Sequence, residues 1–418
     1  MNPVPTATLT ANGREYRFPE TPTIVICLDG SQPGYMEAAM EAGLAPNLRR
    51  LFVTGTAVTA LCVIPAYTNP NNVSIITGRP PSVHGICGNY FFDRNANREV
   101  LMNDAEFMRP GITTIVKAFE QAGATVAVVT AKDKLRALLS FGLDFSAGRA
   151  IAFSSEKADT ATRAGHGIDA VLDLVGLPLP NVYSADLSEF VFAAGVRLLE
   201  SRRPDLMYLS TTDYVQHKAA PGAKAANAFY AMVDRYVGIL DRAGCTLVFT
   251  ADHGMNAKHT PEGEPDVLYL QDILDQWLGA GVARVVLPII DPYVVHHGAL
   301  GSFATIYLPE GVDRGEVAAK LAALPGIQMV LPNAEACKRF ELPPDRTGDL
   351  VILSVQQKAL GSARARHDLS GLTEPLRSHG GLSEQVVPMV SNHRFVVPEG
   401  HVLRNFDAFH VALNLVRC

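Results

Sequence analysis

Three apolar runs that each end in an aspartate constrain this chain most: TIVICLD at residues 23–29, DLMYLSTTD at 205–213 and CTLVFTAD at 245–252. A continuous apolar run of this length reads as a strand buried on both faces, as in a parallel sheet covered by helices. A carboxylate placed where such a run stops arrives at the C-terminal edge of the sheet, where open α/β folds bind ligands. A fourth run, ATVAVVT at 124–130, leads into AKDKLRALL and brings Lys132 and Lys134 to the same edge. Helical patterns separate the runs at 45–54, 111–122, 188–201 and along ANAFYAMVDRYVGIL, and a last helix is expected at 405–415. The alternation predicts an α/β fold with a mostly parallel central sheet flanked by helices. Residues 141–187, rich in Gly, Pro and Asp, read as irregular.

After residue 258 the character changes. Short apolar runs (ARVVLPII, FATIYLP, IQMVLP, DLVILSV) surround one helical pattern, EVAAKLAAL, which predicts a small α+β cap over 259–369. The core then comprises 1–258 and 370–418, a division that a chain of 418 residues accommodates. The net charge of −6 leaves no basic footprint for nucleic acid. No apolar run is long enough to span a bilayer, so no membrane partner is expected. The opening residues are polar and Pro-containing with no secretory leader pattern, which predicts a cytoplasmic protein. Six cysteines, Cys27, Cys62, Cys87, Cys245, Cys337 and Cys418, are scattered without a C-x-x-C pair. In a reducing compartment they are expected to stay free, with Cys27 and Cys245 as small buried hydrophobes within strands.

The chemistry starts at Asp252-His253-Gly254. An Asp-His-Gly turn after a strand is by itself more often a loop than a metal site. Four further pieces change that balance: Asp29, Thr68, the pair Asp213 and His217, and His379 in a Ser-His-Gly-Gly stretch. Asp213 and His217 are four residues apart, so on a helical turn they share a face and clamp one ion. Thr68 precedes an expected helix from Asn69 to Thr77. A hydroxyl there is ordinarily an N-cap, but it also places an oxygen at a helix N-terminus that favours a phosphoryl group. His379, followed by two glycines, is expected in a flexible loop able to swing toward the metals.

Seven N/O ligands divide into two sites. One would hold Asp29, Thr68, Asp252 and His253, and the other Asp213, His217 and His379. Carboxylate and imidazole ligands without thiolate suit Zn²⁺ or Mn²⁺ over Mg²⁺. Two such ions about 3.5–4 Å apart clamp the oxygens of a phosphoryl group in an in-line displacement.

The order of these motifs resembles the alkaline phosphatase superfamily: Asp29, then T-N-P-N at 68–71 with SIITGRPPSVHGI downstream, then D-x-x-x-H, D-H-G and H-G-G. Within it the T-x-P-N stretch is similar to the nucleotide pyrophosphatase/phosphodiesterase branch. A sulfatase would need Cys or Ser in a C/S-x-P-x-R motif, where this chain has Thr68-Asn69-Pro70-Asn71-Asn72. The resemblance implies an alkaline-phosphatase-like core with a cap, two zinc ions per chain with Mn²⁺ as a possible substitute, and a homodimer. It places Thr68 at the nucleophile position and Asn89 on the phosphoryl oxygens. The branch's usual D-x-x-G-H-x-x-G-P is here Asp213-Tyr-Val-Gln-His217-Lys-Ala-Ala-Pro, with the ligands kept and the glycines lost.

Length and motif wording are most similar to members that hydrolyse the carbon–phosphorus bond of phosphonoacetate, a small phosphonate. The implied substrate set is Thr68, Asn89, Lys132, Lys134, Lys224, His217 and His379. Lys132 or Lys134 is the expected partner of the substrate carboxylate, with Lys224 as the alternative and Lys258 and His259 as cap-side contacts. Thr68 either attacks phosphorus or only ligates metal. The competing expectation is a phosphodiesterase or nucleotide pyrophosphatase using the same metal pair. A metal-stabilised binding protein is disfavoured because every expected ligand is present.

Overall fold

The apolar runs become neighbouring strands of one seven-stranded sheet. In chain order its strands are β1 (Thr23–Cys27), β2 (Thr56–Leu61), β3 (Val126–Thr130), β4 (Ala150–Ser154), β5 (Leu206–Ser210), β6 (Thr246–Thr250) and β7 (Val386–Ser391), arranged β2-β7-β6-β1-β5-β3-β4. The computed structural model describes residues 7–102, 105–290 and 299–416; Cys418 lies outside them. Strands β6, β1, β5, β3 and β4 run parallel, while β7 is antiparallel to β6 and β2. Pro388 sits in β7 where only β2 pairs with it, since the β6 ladder stops at Met389. A residue without an N–H is tolerated there.

Every residue of β1, β3, β5 and β6 is buried. Alternate side chains feed two hydrophobic bodies: Val25, Val128, Tyr208 and Val248 point to one, and Ile26, Val129, Leu209 and Phe249 to the other. This is the period of two expected of a sheet covered on both faces. The edge strand β4 falls in the stretch read as irregular. Its five residues AIAFS carry no long apolar run, and pairing with β3 supplies what the local pattern lacks.

Within 259–369 a four-stranded antiparallel sheet forms from Arg284–Val286, Phe303–Tyr307, Leu350–Ser354 and Ile327–Pro332, in that spatial order. Its inner residues Phe303, Ile306 and Ile352 belong to the same hydrophobic body as Val25 and Tyr67. Cys27, Cys62, Cys87, Cys245 and Cys337 are free thiols. No helix among the described residues is long and apolar enough to cross a membrane.

One buried group gives the fold a pH dependence. His84, at the end of the turn Pro81–His84, is fully buried. Its Nδ1 accepts from the amide of Ile86 at 3.1 Å, so Nε2 carries the proton and donates to Ser74 Oγ at 2.8 Å. Burial, helped by the Arg346 charge, pushes its pKa down to about 3. The unfolded chain therefore takes up a proton below about 6.5 that the native state refuses, and stability falls with pH through that window. From pH 7 to pH 5 this one group is expected to remove about 2 kcal/mol. Urea midpoints of the wild type and His84→Gln at the two pH values check it, and the variant should lose less.

Candidate metal centre

Strand register brings the predicted carboxylates together. Cys27 pairs with Ser210 on one side and Thr250 on the other, and Thr130 also pairs with Ser210, so four parallel strands end level. Asp29, Lys132 and Asp252 follow two residues past that row and Asp213 three. The antiparallel β7 starts at the same edge, so the segment before it returns His379 there. Gly30 makes the approach possible: at its φ of +70° a Cβ would lie 2.8 Å from Asp213 Cβ.

Asp213 occupies the N-cap position of the short helix α3 (Tyr214–Lys218), which follows α1 (Thr68–Thr77) and α2 (Asp133–Leu139), and its side chain makes no cap bond. One turn on, His217 Nε2 lies 2.9 Å from Asp213 Oδ2, as the i,i+4 spacing predicts. His379 Nε2 is 3.7 Å from the same oxygen. His253 Nε2 is 3.3 Å from Asp29 Oδ1, 3.6 Å from Asp252 Oδ2 and 3.3 Å from Thr68 Oγ1. The donors form two sets, Asp213 with His217 and His379, and Asp29 with Asp213 and His253, each with its atoms within 4.8 Å of one another. Asp213 thus lies between the two sets, whereas the sequence reading gave it to one.

The three imidazoles share an orientation. Nδ1 of His217 donates to Arg377 O at 2.9 Å, Nδ1 of His253 to Gly254 O at 2.9 Å, and Nδ1 of His379 to Ala66 O at 2.7 Å. A carbonyl only accepts, so each Nδ1 holds the proton and each Nε2 turns a lone pair toward the carboxylates. Burial and the neighbouring His253 hold His379 well below its ordinary pKa, hence neutral. A lone pair facing a carboxylate oxygen is repulsive unless a cation stands between them. Asp29 makes the same point: its Oδ1 is buried without a hydrogen-bond partner, and burial with the like charges of Asp213 and Asp252 pushes its pKa well up. The donor set therefore fits bound divalent cations.

Thr68 is not a capping residue. Tyr67 occupies the N-cap with no side-chain cap bond, and Thr68 is the first helical residue, its hydroxyl facing His253. Pro70 falls in the first turn, where its missing N–H costs little. Asn71 ties the preceding loop to the helix by donating to Pro65 O and Tyr67 O. Asn72, missed in the sequence, donates to Asp252 Oδ2 at 3.1 Å and accepts from Tyr208 and Ser210. His379 does not swing. It is buried and stacks on His253 at 3.6 Å between ring centroids, so the glycines serve close approach: at Gly380 a Cβ would lie 2.4 Å from the Tyr67 ring.

A cavity of about 290 Å³ opens over these groups. Asp29, Thr68, Asn89, Asp213, Lys132 and Lys134 line it. Lys132 gives one of its three protons to Val182 O at 3.0 Å, and burial lowers its pKa against the pull of Glu156, Asp213 and Asp29. Asn89 is anchored through its backbone, its N–H on Pro288 O and its carbonyl accepting from Met102. Three expected contacts are not there. Lys224 is exposed at the start of the helix Lys224–Arg242 and does not line the cavity. Lys258 is fully buried against Glu384, and His259 Nδ1 is engaged with Thr260 O. His217 and His379 line the site from behind as Nε2 donors and are absent from the cavity wall.

Residues 23–381 match the type I phosphodiesterase / nucleotide pyrophosphatase family. The chain belongs to that family. Among solved structures, phosphonoacetate hydrolase from Sinorhizobium meliloti 1021, determined in complex with phosphonoformate and with phosphonoacetate, is 58% identical to it. The TM-score is 0.95, over 98% of this chain and 99% of that one. The sequence-based resemblance thus holds over nearly the full length. Murine ectonucleotide pyrophosphatase / phosphodiesterase 5 shares the fold, with a TM-score of 0.63 at 19% identity over 95% of this chain and 96% of its own. The α/β expectation, a central sheet flanked by helices, is met. Venom phosphodiesterase CdcPDE of Crotalus durissus collilineatus is 24% identical over 251 residues, which cover 57% of this chain but 26% of the snake protein.

Proposed function

We propose that this protein hydrolyses the carbon–phosphorus bond of phosphonoacetate to acetate and phosphate, using two divalent cations, Zn²⁺ with Mn²⁺ as a substitute. One observation carries the reading: a single cavity is lined by Asp29, Thr68 and Asp213 of the ligand cluster together with Lys132 and Lys134. A phosphonate with a carboxylate one carbon away presents two anions, and these walls answer both. The likeness to the Sinorhizobium meliloti enzyme supports the same substrate.

Asp29, Thr68, Asp252 and His253 would hold one ion, and Asp213, His217 and His379 the other, with Asp213 adjoining both. When bound, the ions neutralise the phosphonate oxygens and acidify the attacking oxygen. Thr68 Oγ1, its proton passing to solvent, attacks phosphorus from the N-terminus of α1, where the helix dipole favours the added negative charge, and water then hydrolyses the phosphothreonine to release phosphate. Asn89 lies in reach of a phosphoryl oxygen. As the C–P bond breaks, its electron pair passes to carbon and spreads into the carboxylate. The ammonium groups of Lys132 and Lys134 attract that carboxylate more strongly as its charge grows, which is differential transition-state binding. The carbanion then takes a proton from water to give acetate. Residues 259–369 act as a cap on a core of 1–258 and 370–418.

Protein stripped with chelator and resupplied with Zn²⁺, Mn²⁺ or Mg²⁺ is assayed for phosphate release, with a nucleotide phosphodiester chromogen in parallel. Zinc-restored turnover of phosphonoacetate is the expected result. Activity on the diester alone would move the chain to the phosphodiesterase reading that its family match also supports. Lys132→Ala is expected to lower kcat/KM for phosphonoacetate about 10- to 100-fold, the worth of a charge-assisted hydrogen bond. Lys224→Ala should leave it unchanged.

A further inference from the structure

Outside the lining of that cavity, Arg377 occupies the crossing point of the ligand-bearing segments. Its guanidinium is buried and meets three neutral oxygens. Nε donates to Gln216 O at 2.8 Å, and Nη2 donates to Tyr35 OH at 3.0 Å and to Met255 O at 3.2 Å. Its own carbonyl accepts the Nδ1 proton of His217 at 2.9 Å. Gln216 precedes His217, Met255 stands two residues after His253, and Arg377 stands two residues before His379. One side chain thus ties the three histidine segments to one another. The backbone repeats the tie, since Arg377 and Ser378 pair with Ala257 and Asn256. Tyr35 passes the connection on through its hydroxyl to Ala219 O at 2.9 Å.

We infer that Arg377 is a positioning residue that fixes the His217 imidazole and so sets the affinity of the site formed by Asp213, His217 and His379. The geometry is a fork: donors at two different nitrogens reach carbonyls on two different segments, and the residue's own carbonyl sets the tautomer of His217 on the first of them. A planar guanidinium does this and an ammonium does not. Through its carbonyl, Arg377 acts on the orientation and basicity of His217. Partners of this kind behind a ligand are worth about 10- to 100-fold in metal affinity.

The inference rests on the metal-centre reading above, and the test separates the two. Chelator-stripped protein is titrated with Co²⁺ and followed by visible absorption, with thermal unfolding of the metal-free form recorded alongside. Wild type is expected to show two binding phases. Arg377→Met, which keeps the stem and loses the fork, is expected to keep one phase and weaken the other about 10- to 100-fold, with a changed absorption band for the weakened ion. A general loss of stability would weaken both phases together and would overturn the inference, as would two unaltered phases. Arg377→Lys keeps the charge and carries the decision if the Met variant does not fold. The same selective loss supports the fork, and a wild-type titration overturns it. Wild type that binds no Co²⁺ would overturn the metal centre itself, and this inference with it.

Discussion

Asp213→Ala is expected to cost both metals and the activity together, whereas His217→Ala costs one metal. Asp213 Oδ2 lies 2.9 Å from His217 Nε2 and 3.7 Å from His379 Nε2, and the same side chain also groups with Asp29 and His253. With the proposed pair of ions bound about 3.5–4 Å apart, a carboxylate adjoining both donor sets would offset the charge of each. Without it the site of His217 and His379 would keep two protein donors, the other would lose the carboxylate that adjoins it, and the proposed ions would repel without compensation. We expect kcat/KM to fall on the order of 10³-fold or more, at least the effect of removing one preorganised electrostatic group. Bound zinc, counted by elemental analysis after gel filtration, should drop below one per chain. The His217 variant should retain about one. Equal metal loss in both variants would show that Asp213 belongs to one site alone.

The carboxylates were legible because each closes an apolar run. Such runs settle as adjacent parallel strands, and once Cys27, Ser210 and Thr250 share a row, Asp29, Asp213 and Asp252 must meet. His217 was legible from its spacing to Asp213. Nothing local marks Asn72 or Arg377. One looks like an ordinary residue of an Asn-rich helix start, the other like a surface charge before a glycine loop. Their partners are 180 residues away in the case of Asp252 and 122 in the case of Met255. The two glycines after His379 suggested freedom, yet Gly380 lets the Tyr67 ring approach and Gly381 lies against Ser302. The strand Ala150–Ser154 escaped notice because an edge strand needs one partner and little apolar length. Lys258 misled for a related reason: composition assigns a lysine to water, and only the tertiary fold reveals the acid that holds it inside.

That lysine gives the largest expected effect on stability. Lys258 and Glu384 are both fully buried, with Nζ 3.0 Å from Oε1. The pair is well satisfied. Nζ also donates to Gln356 O at 2.6 Å, and Glu384 accepts from Asn256, Ser383 and the amide of Gly381. Burial lowers the Lys258 pKa while Glu384 opposes the shift. The backbone carbonyl of Glu384 in turn receives the amide of Gly254, next to His253. The pair therefore joins the segment at Gln356, the loop after His379 and the turn that carries His253. Lys258→Met leaves a buried carboxylate unpaired, and a loss of about 3–5 kcal/mol is expected. Replacing both partners, Lys258→Met with Glu384→Gln, removes the stranded charge and should recover much of that loss, because a buried pair has little net worth against an uncharged substitute. Denaturant unfolding of the two single variants and the double variant measures the coupling directly. A double variant as unstable as the sum of the singles would show that each residue acts through its neutral hydrogen bonds and that the ion pair itself holds nothing together.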